Sequence, residues 1–134
     1  MAYWLMKSEP SSYGWDDLVR ERAAEWDGVR NPAARLHMKA MQPGDEALFY
    51  HSGKDKAAVG IMRVVRAAAP DPNDPDWVSV AVEPLRSLPH PVALKAIRAE
   101  PRLAGLEMLR QSRLSVSPVR GEEWEAILGL SARA

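Results

Sequence analysis

The sequence predicts an α+β fold of about five or six short, mostly antiparallel strands, flanked by short helices and built on a small curled sheet or barrel. Three observations carry this. Apolar alternation with a period of two recurs in separate runs, most cleanly over residues 77–83, where Val78, Val80 and Val82 share a face. The helical stretches are short and carry their own start signals, the sharpest being Asn31-Pro32. No internal repeat, low-complexity tract or long linker divides the 134 residues, so one domain over 1–134 with a substantial core is expected.

The elements follow in chain order. Residues 3–7 read as a strand with a polar exit, Lys7-Ser8-Glu9-Pro10. Trp15, Leu18 and Val19 share one face of a short helix, with Gly14 as N-cap and Asp16 and Asp17 at its positive end. A second helix starts at Asn31-Pro32 and runs through Ala33, Ala34, Leu36 and Met38 until Pro43-Gly44-Asp45 ends it. Residues 46–51 form a strand, 52–56 a polar turn, and 59–65 a central strand with apolar side chains on both faces. Three prolines among acids at 70–76 predict a semi-rigid exposed loop before the strand at 77–83. Pro89 to Pro91 predicts another break. Leu94 and Ile97 mark a short helix, and Leu103, Leu106, Met108 and Leu109 continue in helical or turn form. Leu114, Val116 and Pro118 alternate against Ser115 and Ser117 in a last strand. Trp124, Ile127 and Leu128 then form the inner face of a final helix, entered through Gly121 and two glutamates.

Composition narrows the function classes. Eighteen basic and eighteen acidic residues cancel, so no whole-molecule field draws the chain toward nucleic acid or acidic membranes. Any nucleic-acid contact must come from a local patch. The absence of cysteine excludes disulfides, thiolate metal sites and cysteine nucleophiles, and suits a reducing cytoplasm. The apolar stretch at 3–6 is too short for a signal peptide or a membrane span. The expectation is a cytoplasmic, soluble monomer without a cofactor. No Gly-rich phosphate loop occurs. His37, His51 and His90 have no ligand-like spacing, so no metal is expected. A triad of Ser52, His51 and Asp27 can be drawn on paper, but no nucleophile-elbow motif supports it.

Five tryptophans against one phenylalanine direct attention to the polar company that two of them keep. An indole among charges often has a recognition role, since it offers a flat apolar face beside edge donors and acceptors. Two segments have that make-up: Tyr3 to Pro10, and Trp26-Asp27-Gly28-Val29-Arg30-Asn31. Each piece also has a plain structural explanation. Lys7 to Pro10 reads as a strand end closed by a turn, Trp26 as a roof over the core, and Asn31 as a helix cap. Tyr50-His51-Ser52 reads as an edge strand passing into a turn.

Taken together the segments resemble the EVE domain. The residues that carry the resemblance are Trp4 to Pro10, Trp26 to Asn31 with Ala34-Arg35, Met41 to Asp45, Phe49 to Ser52, Gly60-Ile61, and Leu109 to Val116 with Pro118-Val119 and Trp124. They run in order along essentially the whole chain. The resemblance implies a PUA-like pseudo-barrel flanked by helices, distantly related to YTH and ASCH domains. It also implies a non-enzymatic reader of modified bases, with modified cytosine in DNA as the ligand type and nucleic acid as the partner. Relatives of the ASCH kind include enzymes, so a small hydrolase acting on a modified nucleoside is the second reading. A protein-interaction module, with the acidic loop at 70–76 as its handle, is a third.

A base inside a duplex hides its edge, so a pocket reader must take it out of the stack. Trp26 is the expected stacking surface, with Tyr50 and Trp77 as candidates for the opposite wall. Lys7, Ser8 and Glu9 are expected to meet the Watson–Crick edge, while Asn31, Ser52, His51 and Arg30 complete the rim. Arg35, Arg110 and Arg113 are the expected backbone contacts, the last two because they sit within the family pattern. Lys39, Lys54 and Lys56 are left to the solvated surface. In the hydrolase reading Lys7 and Glu9, two apart on a strand and so on one face, would polarise a carbonyl and move a proton.

Overall fold

The computed structural model describes residues 1–133. Six strands form one sheet: β1 (Tyr3–Ser8), β2 (Ala24–Trp26), β3 (Glu46–His51), β4 (Ala57–Asp71), β5 (Asp74–Ala93) and β6 (Val116–Val119), in the order β2-β5-β4-β3-β1-β6. The β1–β3 pair is parallel and the other pairs are antiparallel. Five helices flank it: α1 (Trp15–Glu21), α2 (Pro32–Ala40), α3 (Leu94–Ala99), α4 (Glu107–Arg110) and α5 (Gly121–Arg133), with a 3₁₀ turn at Pro101–Leu103. The fold is α+β, an incompletely closed pseudo-barrel of the PUA-like kind.

Both faces of the sheet are covered, which explains the strands' apolar runs. On one face Trp4, Met6, Phe49, Met62 and Val80 meet Leu18 of α1 and Met38 of α2. On the other, Leu5, Leu48, Tyr50 and Ile61 meet Ile97 of α3 and Trp124 and Ile127 of α5. Side chains alternate across a strand, so Trp4 and Met6 lie opposite Leu5. Trp4 belongs to the fold: its indole Nε1 donates to the buried Asp45 carboxylate at 3.0 Å, which also accepts from the backbone N–H groups of Ala2 and Gln42. Burial opposes ionisation of Asp45, yet these bonds hold its pKa below the usual carboxylate value.

Several expectations hold. The strand over 46–51 and the Asn31-Pro32 helix start are observed, with the Asn31 side chain accepting from Ala34 N–H at 3.0 Å. Others need correction. The acidic proline segment is largely exposed, as expected, but it is not a loop: β4 and β5 run into it and close as a tight hairpin around residues 72–73, with Asp71 buried. Pro89 to Pro91 do not break the chain, because β5 continues to Ala93 with irregular register against β4, leaving positions where no ladder N–H is needed. Trp26 lies on a three-residue strand, β2, too short for periodicity to reveal. Val19 is exposed rather than on the inner face of α1 with Trp15 and Leu18. Close packing singles out one glycine: a Cβ at Gly60 would come within 2.4 Å of the Trp15 ring, so only glycine lets the indole lie on β4.

Candidate functional site

The polar exit of β1 opens onto a cavity of about 650 Å³, within the range of small-ligand sites. Its back wall is Trp26 on β2, held by pairing with Val80 and by an edge-on contact with Phe49 at 5.3 Å between ring centroids. Trp26 is 7% exposed, so it presents a limited area of a rigid ring. Around it stand Lys7, Ser8, Tyr13, Asp27, Arg30 and Ser115. The cavity thus combines an aromatic wall with hydroxyls, two cations and carboxylates.

Hydrogen bonding shows which of these groups are free to act. Ser8 Oγ donates to the Tyr13 carbonyl at 2.6 Å, which leaves its lone pairs as acceptors. Lys7 Nζ donates to the Ser112 carbonyl at 3.0 Å and keeps two further protons. Desolvation of this half-buried ammonium lowers its pKa. The Tyr13 phenol donates to Glu21 at 2.7 Å, and its pKa is pushed up by burial first and then by that carboxylate. Glu25 is engaged by the Arg66 guanidinium and Ser79. Asp27 receives a single long bond from Asn73 Nδ2 at 3.3 Å, so it retains most of its accepting capacity.

The segment that carries Asp27 is held from below by Asp71. This buried carboxylate accepts from Asn73 N–H at 2.7 Å, Gly28 N–H at 2.9 Å and Arg30 Nη1 at 3.1 Å. The two backbone bonds, aided by Arg30 and opposed by burial, bring its pKa down to about 2. Gly28 has φ +77°, a left-handed conformation that turns the chain sharply between Asp27 and Val29. Sequence reasoning missed Asp71. Its one local signal is the Asx turn, in which the side chain bonds the backbone two residues on.

Four of the expected ligand residues, Lys7, Ser8, Trp26 and Arg30, line this cavity. Tyr50 and Ser52 line a second, smaller cavity on the other face of the β1–β3 pair, where Lys7 is again part of the wall. Glu9 is exposed, bonded to Ser11 Oγ at 3.3 Å and seated over Gly53. Asn31 caps α2. His51 Nε2 accepts from Trp15 N–H at 3.0 Å at the start of α1, and Nδ1 lies 3.2 Å from Asp55. The Ser52–His51–Asp27 triad is therefore not assembled. Trp77 is half-buried beneath the Arg35 guanidinium, 4.5 Å from its ring centroid, with Arg30 at 5.7 Å. Arg110 pairs with Glu107 at 3.5 Å, and Arg113 is exposed. Among the described residues no acidic or histidine cluster suits a metal, and no helix is long and apolar enough to cross a membrane.

A family model for the EVE domain matches residues 2–130. Mouse thymocyte nuclear protein 1 is 34% identical over 96% of the chain and 73% of its own length. A solved structure of Rpa0253 from Rhodopseudomonas palustris is 46% identical with a TM-score of 0.93, covering 98% of this chain and 94% of that one. The human THYN1 protein, solved in complex with DNA containing 5-methylcytosine, is 28% identical with a TM-score of 0.93, covering 100% and 99% of the two chains.

Proposed function

The chain belongs to the EVE domain family, and on that premise we propose that it is a non-enzymatic reader of a modified nucleobase in DNA, C5-modified cytosine first. The observation that carries this reading is the meeting of Trp26 with Lys7, Ser8 and Asp27 in one cavity of base-accommodating size. The human relative's complex with methylcytosine DNA gives the ligand class its direction.

The roles follow from the free valences. An extruded base packs against the limited exposed part of the Trp26 ring, a contact at or below the low end of the about 1–3 kcal/mol of open base–aromatic stacks. Cytosine offers an exocyclic amine as donor and a ring nitrogen and carbonyl as acceptors. Asp27 and the Ser8 lone pairs accept from the amine, and a free Lys7 proton donates to the carbonyl. Asp27 takes the accepting role expected for Glu9, which lies outside the cavity. The same displacement separates the Lys7–Glu9 pair on which hydrolysis of a modified nucleoside would depend, which favours binding over turnover. No histidine lines the cavity among the described residues, and His51 is engaged at the α1 terminus.

The test is a titration with matched oligonucleotides bearing cytosine, 5-methylcytosine, 5-hydroxymethylcytosine, adenine or N6-methyladenine. A preference for modified cytosine is expected, weakened about tenfold in Asp27→Asn through loss of a charged acceptor. Trp26→Ala also opens the core against Phe49, so Trp26→Leu accompanies it as a fold-preserving variant without the stacking ring. Equal binding of all five strands, unchanged in Asp27→Asn and Trp26→Leu, would overturn the proposal.

A further inference from the structure

The smaller cavity, about 290 Å³, has a composition unlike its neighbour. Lys7, Lys56 and Arg98 line it and no carboxylate does. Among the described residues none of these three cations forms an ion pair, whereas Arg20, Arg30, Arg66, Arg102 and Arg120 are each matched to a carboxylate. In a chain of zero net charge, three unmatched cations around one concavity concentrate positive potential there.

A second, independent observation points to a ligand. Tyr50 is 3% exposed overall, and what remains accessible lies in this cavity, where among the described residues its hydroxyl makes no hydrogen bond to the protein. Its O–H is thus a donor free for a ligand. Burial raises its pKa, against the opposing influence of nearby Arg98, so the group stays an O–H donor at neutral pH. Tyr50 pairs with Lys7 across the parallel β1–β3 ladder, which sets the phenol and the ammonium side by side on one face. Lys56, left to the solvated surface by sequence, is anchored where the Leu94 N–H donates to its carbonyl at 2.7 Å.

We infer that this cavity is an anion site for a phosphate group, with Lys7, Tyr50 and Arg98 as donors, and that in the nucleic-acid complex it takes a phosphodiester flanking the base held beside Trp26. Converging cationic and hydroxyl donors suit the several oxygens of a phosphate. Lys7 walls both cavities, so base and phosphate occupy adjoining chambers. The assignment to a flanking phosphodiester rests on the reader function; the anion site does not.

Two measurements separate these. In the first, single phosphodiesters of a methylcytosine-bearing strand are replaced by neutral methylphosphonate. One position beside the modified base is expected to weaken binding about tenfold, as for loss of a charge-assisted bond. Arg98→Gln and Tyr50→Phe are expected to weaken the unmodified strand similarly and to lose nothing further at that position. Arg86→Gln, exposed and in neither cavity, binds as the parent does. Losses that simply add at every position overturn the phosphodiester assignment. In the second, inorganic phosphate is titrated while the backbone amides of Gly53, Lys56 and Arg98 are followed by NMR. Saturable shifts abolished in Arg98→Gln support the anion site, and their absence overturns it. Phosphate binding without any base preference leaves the anion site standing and removes the reader function.

Discussion

Asp71 shows how much one buried carboxylate can organise. Its two oxygens take the Asn73 and Gly28 N–H groups and the Arg30 guanidinium, tying the β4–β5 hairpin to the turn that carries Asp27. Its pKa of about 2 lies below the ordinary aspartate value, so its ionised form stabilises the fold. That stabilisation is fully present above about pH 4, where the unfolded carboxyl is ionised, and is lost as pH falls through about 2. Asp71→Asn is expected to cost about 2 kcal/mol at neutral pH. Its stability should also fall less steeply than the parent's between pH 4 and 2, as read from urea midpoints across that range. Lys7 was legible at the same scale because it stands in a segment of aromatic and polar residues, whereas Asp27, though next to Trp26, was passed over in favour of Glu9. Asp71 was not legible, because a carboxylate between prolines looks like any solvated turn residue until its partners, more than forty positions away, come to meet it.

Strand parity and helix caps govern what each element delivers. At the end of β1, alternation roots Lys7 on the Tyr50 face and Ser8 on the Met6 face, while the long Lys7 side chain borders both cavities, so one short exit serves the two. Asn31 illustrates the opposite outcome for a residue in the family pattern. Its side chain is spent on Ala34 N–H, as the Asn-Pro signal indicates. Asn31→Ala is expected to lower stability by about 1 kcal/mol. If the cap is its whole role, affinity for a modified strand stays within about twofold of the parent, and a tenfold loss would return it to the rim. His51 belongs with it, since its ring accepts the first N–H of α1. The long hairpin of β4 and β5 was read as shorter pieces because prolines normally punctuate strands. Here irregular pairing lets the strand pass through them.

For the whole molecule, balanced charge and a small cationic focus predict a weak ionic component to binding. If about three phosphates are engaged, the slope of log affinity against log salt on a single strand is about −2, shallow beside a basic transcription factor. Arg98→Gln should reduce it by about 0.7, whereas Arg113→Gln, on the exposed surface, tests the contact expected from the family pattern. Affinities measured over a salt series decide between these cations.

By itself, the sequence determined the α+β class, most element positions, the absence of thiolate chemistry and membership of the EVE pattern. All of these depend on local spacing: period-two alternation, caps, turn residues and ordered motifs. Tertiary structure alone decided which polar groups converge. It brought Trp26 to Lys7 and Ser8, moved Glu9 outside, assigned His51 and Asn31 to helix ends, and left Tyr50 unpartnered beside Arg98. The physical reason is that a side chain's chemistry depends on which of its valences the fold has already satisfied. Those partners come mostly from strands and loops distant in sequence.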